Sequence, residues 1–436
     1  MIQTIDLRGR RPSDAELRAL VHRAEVDVSA AIPVAGQIIR DVRDRGAAAL
    51  EEQSDRFDGG RAAALRVDPA VITAAVGALP REIRAALDEV IDRERAASRA
   101  QVPAPAVTTV APGAQITQRW QPVDRVGLYI PGGKAVYPSS VVMNVVPAQV
   151  AGVGAIALAS PPQADFGHGI HPLILGAAGV LGIDEIYAMG GAGAIGALAY
   201  GVPSIGLEPV DVVAGPGNVY VAAAKRVVQG DVGIDAEAGP SEVLVIADAT
   251  ADAAFVAADL VSQAEHDEVA AAVLVTDSVE LRDAVLAELE SQVGRTSARD
   301  RVLTALAGPQ SAVILVDDLA TAARVSDAYA PEHLEIQTAD PGAVLDRISH
   351  AGAIFLGAFS PVSLGDYLAG SNHILPTGGT ARFTSGISAA TFLRPQQVVR
   401  YEREALEAVA PHIRAMSDAE QLPAHGDAVD VRFAAS

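Results

Sequence analysis

The chain has 436 residues, of which 50% are hydrophobic and 20% are charged, and its formal net charge is −21. This length predicts about two to four domains, and the acidic balance repels nucleic acid and anionic lipid. We therefore expect no nucleic acid and no membrane among its partners. Because cysteine is absent, disulfides, cysteine-based metal sites and thiolate nucleophiles are excluded.

Two stretches of sequence bear on where the protein resides. The N-terminal sequence MIQTIDLRGRRPSD lacks the apolar core of a signal peptide, so secretion is not predicted and the expected location is the cytoplasm. The uncharged run 135–164 is long enough to cross a bilayer. Because it contains Asn144, Pro147 and several glycines, we interpret it as a buried helix and strand.

The first 110 residues are predicted to form a helical region. Ser13 followed by Glu16 is a capping box, and it opens an amphipathic stretch that reaches about Glu25. Segments 32–57 and 81–100 carry apolar residues at spacings of three and four with charges between them, which is the pattern of amphipathic helices.

From about residue 110, short runs rich in β-branched residues alternate with alanine-rich stretches. The predicted strands are 125–130, 155–159, 185–188, 243–247, 272–276, 312–316, 334–337 and 353–356. Helices such as 251–264, 278–291 and 318–328 lie between them, and this alternation predicts an α/β fold with parallel sheets. The segment AEAGPSE divides a first predicted unit, 111–240, from a second, 241–380.

A long segment rich in Gly, Ser and Thr, 359–391, follows the last predicted strand. Loops of this length inside a compact domain are usually functional. The remaining residues, 381–436, are predicted to form a C-terminal arm that contains a charged helix over 396–416.

Residue types that ligate metals occur at a helical spacing. Gln263 and His266 are three apart at the end of a predicted helix, so both side chains project from one face. For His266 alone, the favourable interaction of a protonated imidazole with a helix C-terminus is a sufficient explanation. Together with Asp366, His373 and His425, these oxygen and nitrogen donors suit Zn²⁺ or Mn²⁺.

The pair Glu332–His333 is the candidate for acid and base chemistry. Successive residues of a regular strand point to opposite faces. For both side chains to serve one site, they must lie in the loop ahead of Leu334, where Pro331 restricts the backbone. The alternative is a surface loop with two polar residues.

Glycine-rich loops are candidates for ligand binding. Gly191, Gly193 and Gly196 have the spacing of a dinucleotide-binding turn, although an ordinary strand-to-helix turn has the same composition. The loops YIPGGK, AGPGN and AGPSE follow strand-like runs, and each offers backbone amides that could face a phosphate or carboxylate. Each loop alone is typical of an ordinary turn, but the presence of three favours the interpretation that one or more of them line a ligand cleft at the carboxyl ends of the strands.

Six segments taken together resemble one enzyme family. They are YIPGGKAVYPSSVVMNVVPAQVAG, AGPGNVYVAAAK, AGPSEVLVIAD, QAEHD, YAPEHLEIQ and FSPVSLGDYLAGSNHILPTGG. In this order, from about Tyr129 to His425, the chain looks like histidinol dehydrogenase. The resemblance implies two incomplete Rossmann-like domains related to aldehyde dehydrogenases, with N-terminal helices and a C-terminal helical arm.

The resemblance also implies an activity and a set of site residues. Histidinol dehydrogenases are homodimeric zinc enzymes with shared active sites that oxidise L-histidinol to L-histidine through histidinal, with NAD as the oxidant. By motif, the implied zinc ligands are Gln263, His266, Asp366 and His425. The implied acid/base pair is Glu332 and His333, and the implied substrate contacts are Ser241, His333, His373, Glu420 and the four zinc ligands. Tyr129 and Asn218 would contact NAD, and Gly193 stands where many relatives have a Gln that contacts NAD.

Three other readings compete with this one. In the first, the protein is a relative with the same scaffold that oxidises another small alcohol, such as a sulfonated diol. His373, Glu420 and His425 argue against it, because they suit an amino alcohol that carries an imidazole. In the second, the protein is a zinc-dependent hydrolase, a hypothesis that does not explain the Gly-rich loops. In the third, it is an inactive binding protein, a hypothesis that does not explain the presence of both acid/base residues. Because cysteine is absent, histidinal must be oxidised as its hydrate, and we hypothesise that Glu332 activates the water while His333 removes the alcohol proton.

Overall fold

Strands and helices alternate along the chain in the computed structural model, which describes residues 2–23, 28–132, 136–236 and 239–434. The strands are β1 (Gln3–Asp6), β2 (Ala106–Ala111), β3 (Ala114–Pro122), β4 (Arg125–Tyr129), β5 (Ala155–Ser160), β6 (Ile186–Ala188), β7 (Val212–Ala214), β8 (Gly233–Ile234), β9 (Glu242–Ala247), β10 (Ala271–Thr276), β11 (Ala312–Leu315), β12 (His333–Gln337), β13 (Ala353–Leu356) and β14 (Leu393–Tyr401). The helices are α1 (Asp14–Arg18), α2 (Val28–Arg45), α3 (Ala47–Phe57), α4 (Pro69–Gly77), α5 (Arg81–Gln101), α6 (Pro138–Ala151), α7 (Pro172–Val180), α8 (Gly191–Tyr200), α9 (Val219–Val228), α10 (Ala253–Ala264), α11 (Val279–Val293), α12 (Arg299–Ala307), α13 (Leu319–Tyr329), α14 (Pro341–Leu345), α15 (Val362–Tyr367), α16 (Arg403–Ala419) and α17 (Pro423–Asp430).

The first sheet is parallel, with the order β6-β5-β4-β7-β8. Helices α5, α6 and α7 contribute to the hydrophobic core on one face, and α2, α8 and α9 to the core on the other. The chain moves outward from β4 to β6 and then crosses to β7 on the other side. The order therefore reverses between β4 and β7, the position at which open α/β sheets bind ligands outside their carboxyl ends.

The second sheet is also parallel, with the order β1-β11-β10-β9-β12-β13. Its central strand β9 is buried along its whole length. Val243 and Val245 pack into one core and Leu244 and Ile246 into the other, as expected for a strand covered on both faces. All eight predicted strands are present, and the prediction of an α/β fold with parallel sheets is confirmed. The limits of the predicted domains stay a prediction.

The N-terminal region differs from its prediction in three ways, the first being that its last residues, from Ala106 onward, form strand β2. Strand β1 pairs with β11, with Gln3 opposite Ala312, so the region predicted as helical also contributes a strand to the second sheet. The capping box of Ser13 and Glu16 is confirmed, but α1 ends at Arg18. The end of that predicted helix, at Glu25, lies outside the described residues.

A third, antiparallel sheet has the order β14-β3-β2. The helix predicted over 396–416 is wrong at its start, because residues up to Tyr401 form β14 and α16 begins at Arg403. The physical reason is tertiary: β14 pairs with β3 along nine residues, and strand pairing outweighs the weak helical preference of the sequence. The long segment 359–391 is also less irregular than predicted, since it contains α15.

The uncharged run that was long enough to cross a bilayer forms one strand of the first sheet and a helix that packs against it. It forms α6 and β5, as interpreted from the sequence, although its first residue, Ala135, is outside the described part. Within the described ranges, we find no helix that is both long and apolar enough to cross a membrane.

Candidate active site

A group of polar side chains meets at the amino ends of two neighbouring strands. Strands β9 and β12 are paired, with His333 opposite Val243. The residues that lead into these strands, Ser241 and Glu332, are therefore adjacent. They are linked by hydrogen bonds, although 91 residues separate them in the sequence.

Glu332 is a buried carboxylate held by two donors. The Ser241 hydroxyl donates to its Oε2 atom at 2.7 Å, and the backbone N–H of Glu242 donates to the same atom at 2.8 Å. Burial raises the pKa of Glu332 to about 7, and the two hydrogen bonds oppose the rise. A carboxylate whose pKa is near neutrality is well suited to act as a general base.

His333 is also positioned by the backbone of Glu242. Its Nδ1 atom lies 3.0 Å from the carbonyl oxygen of Glu242 and 3.4 Å from Oε2 of Glu332. Because a carbonyl only accepts, we infer that Nδ1 carries the hydrogen and that Nε2 has the free lone pair. Burial lowers the pKa of His333, which favours this neutral form. The expectation that both residues precede the strand is wrong for His333, which is the first residue of β12.

Gln263 and His266 lie at the end of α10. The Gln263 amide donates to Ser241 Oγ at 2.9 Å, whereas its Oε1 atom is buried and has no hydrogen-bond partner. His266 follows the helix, and its Nδ1 atom is 3.1 Å from the carbonyl oxygen of Ser262. By the same argument, Nε2 of His266 is the nitrogen with a free lone pair. The two side chains therefore offer one oxygen and one nitrogen for a ligand.

Asp366 and His373 come from the segment that follows β13. His373 Nδ1 is 2.8 Å from the carbonyl oxygen of Asp366, and its Nε2 atom is 2.9 Å from the hydroxyl of Ser140 in α6. Burial lowers the pKa values of His333 and His373, and the charge of the half-buried Asp366 opposes this change; the same charge adds to the effect of burial in raising the pKa of Glu332. These groups therefore lie within electrostatic reach of one carboxylate and form one cluster.

Glu420 and His425 lie elsewhere in the chain. Both are exposed and, with other residues of α16 and α17, line a shallow cavity of about 310 Å³ within the C-terminal arm. Among the described residues, no group of three or more His, Cys, Asp or Glu side chains is arranged to hold a metal ion. The residues brought together are Ser241, Gln263, His266, Glu332, His333, Asp366 and His373.

The candidate NAD residues lie at the carboxyl edge of the first sheet. Tyr129 ends β4, and its buried hydroxyl accepts a hydrogen bond from the backbone N–H of Gly191 at 3.1 Å. Asn218 caps α9, because its Oδ1 atom accepts from Tyr220 N and Val221 N. Gly193 is buried in α8, where an added Cβ would lie 2.0 Å from Oε1 of Gln53.

Two of the three Gly/Pro loops lie at carboxyl ends of strands, where one or more of them were expected. The loops after β4 and β7 are at the carboxyl ends of those strands, although Gly133 and Lys134 of the first are outside the described residues. The AGPSE loop instead leads into the amino end of β9. Parallel strands enter a sheet at the edge opposite to the one where they leave it, so this loop lies at the other edge.

Three further residues, which the sequence did not predict, contact the site: Arg23, Ser140 and Glu242. Arg23 Nη1 donates to Glu242 Oε1 at 2.5 Å, and Glu242 is buried beside Glu332. The available signal for Glu242 is its place next to Ser241 in the AGPSE motif. Arg23 and Ser140 act through contacts across more than 200 residues of sequence, which no local pattern reveals.

Comparison with known proteins gives one consistent result. A family model described as histidinol dehydrogenase matches residues 21–433. The histidinol dehydrogenase of Leifsonia xyli subsp. xyli is 66% identical over 432 residues, which cover 99% of both chains. That of Mycobacterium tuberculosis is 54% identical over 436 residues, covering 99% of this chain and 98% of the relative. A crystal structure of histidinol dehydrogenase from Elizabethkingia anophelis matches with a TM-score of 0.92 and 35% identity, over 99% of this chain and 98% of that one. The resemblance read from the sequence is thus confirmed, and the chain belongs to the histidinol dehydrogenase family.

Proposed function

We propose that the protein oxidises L-histidinol to L-histidine through histidinal, with NAD as the oxidant and zinc as a bound metal. The observation that carries this proposal is the buried cluster of Glu332, His333, Ser241 and Gln263 in a member of this family. It combines a base of raised pKa with a neutral imidazole. Both are needed to remove protons while hydride leaves the substrate.

The donors of the cluster fit a zinc ion. Gln263 Oε1 is a buried oxygen without a partner, and the imidazole of His266 is oriented by its Nδ1 contact with a backbone carbonyl, as in many metal-binding histidines. With the carboxylate of Asp366, they supply oxygen and nitrogen ligands of the kind zinc accepts. We propose these three residues and His425 as the ligands.

Zinc, NAD and the acid/base pair have different roles in the proposed reaction. When bound, zinc supplies a template for the imidazole and amine of the substrate, and NAD accepts hydride in each oxidation. His333 Nε2 takes the proton of the substrate hydroxyl. Glu332 takes a proton from the water that adds to histidinal, since no cysteine is present to form a covalent adduct. Ser241 and Glu242 hold the Glu332 carboxylate in place for this step.

We propose that the protein is a homodimer in which each site is completed by the partner. Glu420 and His425, the proposed substrate contact and fourth ligand, are exposed on the C-terminal arm. The arm and the third sheet also expose large apolar side chains, among them Met416 at 60% and Val399 at 64% exposure. Apolar surface of this kind is typical of a subunit interface, and an arm that crosses to a second copy would bury it.

The proposed NAD site lies between the carboxyl ends of β4 and β7. Tyr129 and Asn218 line the point where the strand order reverses, which is the usual place for a nucleotide in this type of sheet. Gly193 lacks a side chain for this role, so we propose that it affects the affinity for NAD and not the activity itself.

The test of the proposed function is the amount of NADH formed per L-histidinol consumed by the purified, zinc-loaded protein. Two NADH per substrate, with L-histidine as the product, would support both oxidations. One NADH with released histidinal would contradict the water-dependent second step. No NADH would overturn the proposal and favour a different alcohol substrate or a hydrolase.

A mixed dimer tests the shared site. A His425 variant and a Glu332 variant are each expected to be inactive alone. If each site combines one subunit's Glu332 with the other's His425, mixing the two variants restores one complete site in each mixed dimer. Mixed dimers without activity would contradict the proposal that the arm crosses.

A further inference from the structure

A charged side chain from the N-terminal segment reaches the amino end of β9. Arg23 Nη1 donates to Glu242 Oε1 at 2.5 Å, and the guanidinium carbon lies 4.1 Å from the ring centroid of Tyr329. The backbone N–H of Gly378 donates to the same carboxylate oxygen at 3.0 Å. Three distant segments of the chain therefore meet at the Glu242 side chain.

The backbone of Glu242 holds both proposed acid/base residues. Its N–H donates to Oε2 of Glu332 at 2.8 Å, and its carbonyl oxygen accepts from Nδ1 of His333 at 3.0 Å. These two groups belong to the successive peptide units that meet at the Glu242 Cα atom, so a shift of this residue's backbone would move both side chains. Displacements of about 1 Å are enough to slow an enzymatic step about a hundredfold.

Arg23 is the charged partner of the buried Glu242 side chain. The Glu242 side chain is 6% exposed, and its Oε2 atom is buried without a hydrogen-bond partner. Burial raises the pKa of Glu242 to about 7, and the charge of Arg23 is the largest influence that opposes the rise. Without Arg23, an ionised Glu242 would be left with the Gly378 N–H alone, and a buried charge that loses its partner is strongly destabilising.

We propose that Arg23 is a positioning residue for the oxidation of histidinol: through the side chain of Glu242, it fixes the backbone of Glu242, which holds Glu332 and His333. This inference rests on the proposed function. Arg23 touches neither acid/base residue in the contacts described above, and its effect passes through Glu242.

The test compares Arg23→Gln, Glu242→Gln and the double variant with the wild type. We expect each single variant to lower kcat about tenfold to a hundredfold. The KM for L-histidinol and the zinc content should stay close to those of the wild type, because the ligands Gln263 and His266 are held by other contacts. The double variant should be no slower than the slower single variant, because both changes break the same contact.

A matched control is Arg125→Gln, which removes another poorly exposed ion pair, that of Arg125 with Glu185 at the amino edge of the first sheet. It should lower the melting temperature without lowering kcat. If Arg23→Gln does not fold, Arg23→Lys replaces it in the same comparison, since Lys keeps the charge but not the planar fork that stacks on Tyr329. Lys should then lower kcat in the wild type but not in the Glu242→Gln background.

Three results would overturn the inference. The first is an unchanged kcat in the Arg23 variant. The second is a double variant whose loss is the product of the two single losses, which would mean that Arg23 acts independently of Glu242. The third is a wild type that does not oxidise L-histidinol, which overturns the proposed function itself and is distinguished from the others by the wild-type assay alone.

Discussion

The five strands of the first sheet and five of the six strands of the second follow the same order, but the two sheets present their polar sites at opposite edges. In the first sheet, the strand order reverses between β4 and β7, and Tyr129 and Asn218 lie at the carboxyl ends there. In the second sheet, the order reverses between β9 and β12, but Ser241 and Glu332 lie at the amino ends. The same strand order therefore supports two kinds of site. One is formed by residues that follow the strands, such as Tyr129 and Asn218. The other is formed by residues at the start of the strands, such as Glu332, which the buried backbone of the neighbouring strand holds in place.

The largest expected effect is at the amino edge of the second sheet. His266→Asn should remove the bound zinc and lower turnover about a hundredfold or more, since even changes to residues that only support a metal ligand cost 10–100-fold. Zinc content by metal analysis and NADH formation measure the two effects. The control is His350→Asn, because His350 contacts Asp327 through its backbone N–H, which this substitution keeps. Full activity in a zinc-free His266 variant would contradict the assignment.

The next effect separates the two members of the acid/base pair. Glu332→Gln should slow the oxidation of supplied histidinal about 100-fold to 10,000-fold, the usual contribution of a positioned base. The oxidation of histidinol to histidinal should be affected less, because His333 acts there. Single-turnover NADH formation from each substrate measures the difference, with Glu185→Gln as the control on the other sheet. Equal losses in both steps would show that the proposed division of labour is wrong.

A buried acid links the two regions and predicts a pH effect on stability. Glu94 in α5 accepts from Asn372, the residue before His373, and burial raises its pKa to about 7. Between the ordinary Glu value of 4.5 and this value, the folded state holds a proton that the unfolded state has released. The free energy of unfolding therefore falls as the pH rises through this window, by up to about 3 kcal/mol from this one group.

Glu94→Gln removes that dependence. Urea unfolding at pH 5 and pH 7.5 should therefore show a smaller loss of stability in the variant than in the wild type as the pH is raised. An identical loss in both proteins would mean that Glu94 is ionised in the folded state.

A smaller effect is expected at the carboxyl edge of the first sheet. Asn218→Ala removes the cap of α9 and should lower the free energy of unfolding by about 1 kcal/mol, and it should also weaken NAD binding. Asn218→Ser keeps a capping oxygen and separates the two roles: its stability should be close to that of the wild type while NAD binding stays weak. Unchanged NAD affinity in both variants would remove Asn218 from the proposed site.

The smallest effect concerns Gly193. Its missing side chain leaves space that Gln53 fills, so Gly193→Gln requires Gln53→Ala to make room. In that double variant the dissociation constant for NAD should fall about threefold to tenfold, the value of one added hydrogen bond. Calorimetric titration with NAD measures it, with Gln53→Ala alone as the control. No gain would mean that α8 does not approach NAD closely enough for a side chain there to matter.

The parts of the fold that were predictable from the sequence are those with a local cause. The apolar runs of β9 and β10 mark strands buried on both faces, and the capping box marks the start of α1. Strands β1 and β14 were missed because their conformation depends on partners far away in the sequence. The motif residues of the site were found through the family resemblance, whereas the contacts of Arg23 and Ser140 arise only when distant segments meet.

Strand β1 gives the chain an unusual order of assembly. Its partner β11 follows about 300 residues later in the sequence, which at a synthesis rate of about 5–20 residues per second means a wait of about 15–60 seconds. The strands of the first sheet, by contrast, are contiguous in sequence and can pair while synthesis continues. Removal of the first six residues would leave β11 as an open sheet edge, and an open edge is a template for aggregation. Strand β1 thus covers one edge of the second sheet and protects it from pairing with other molecules.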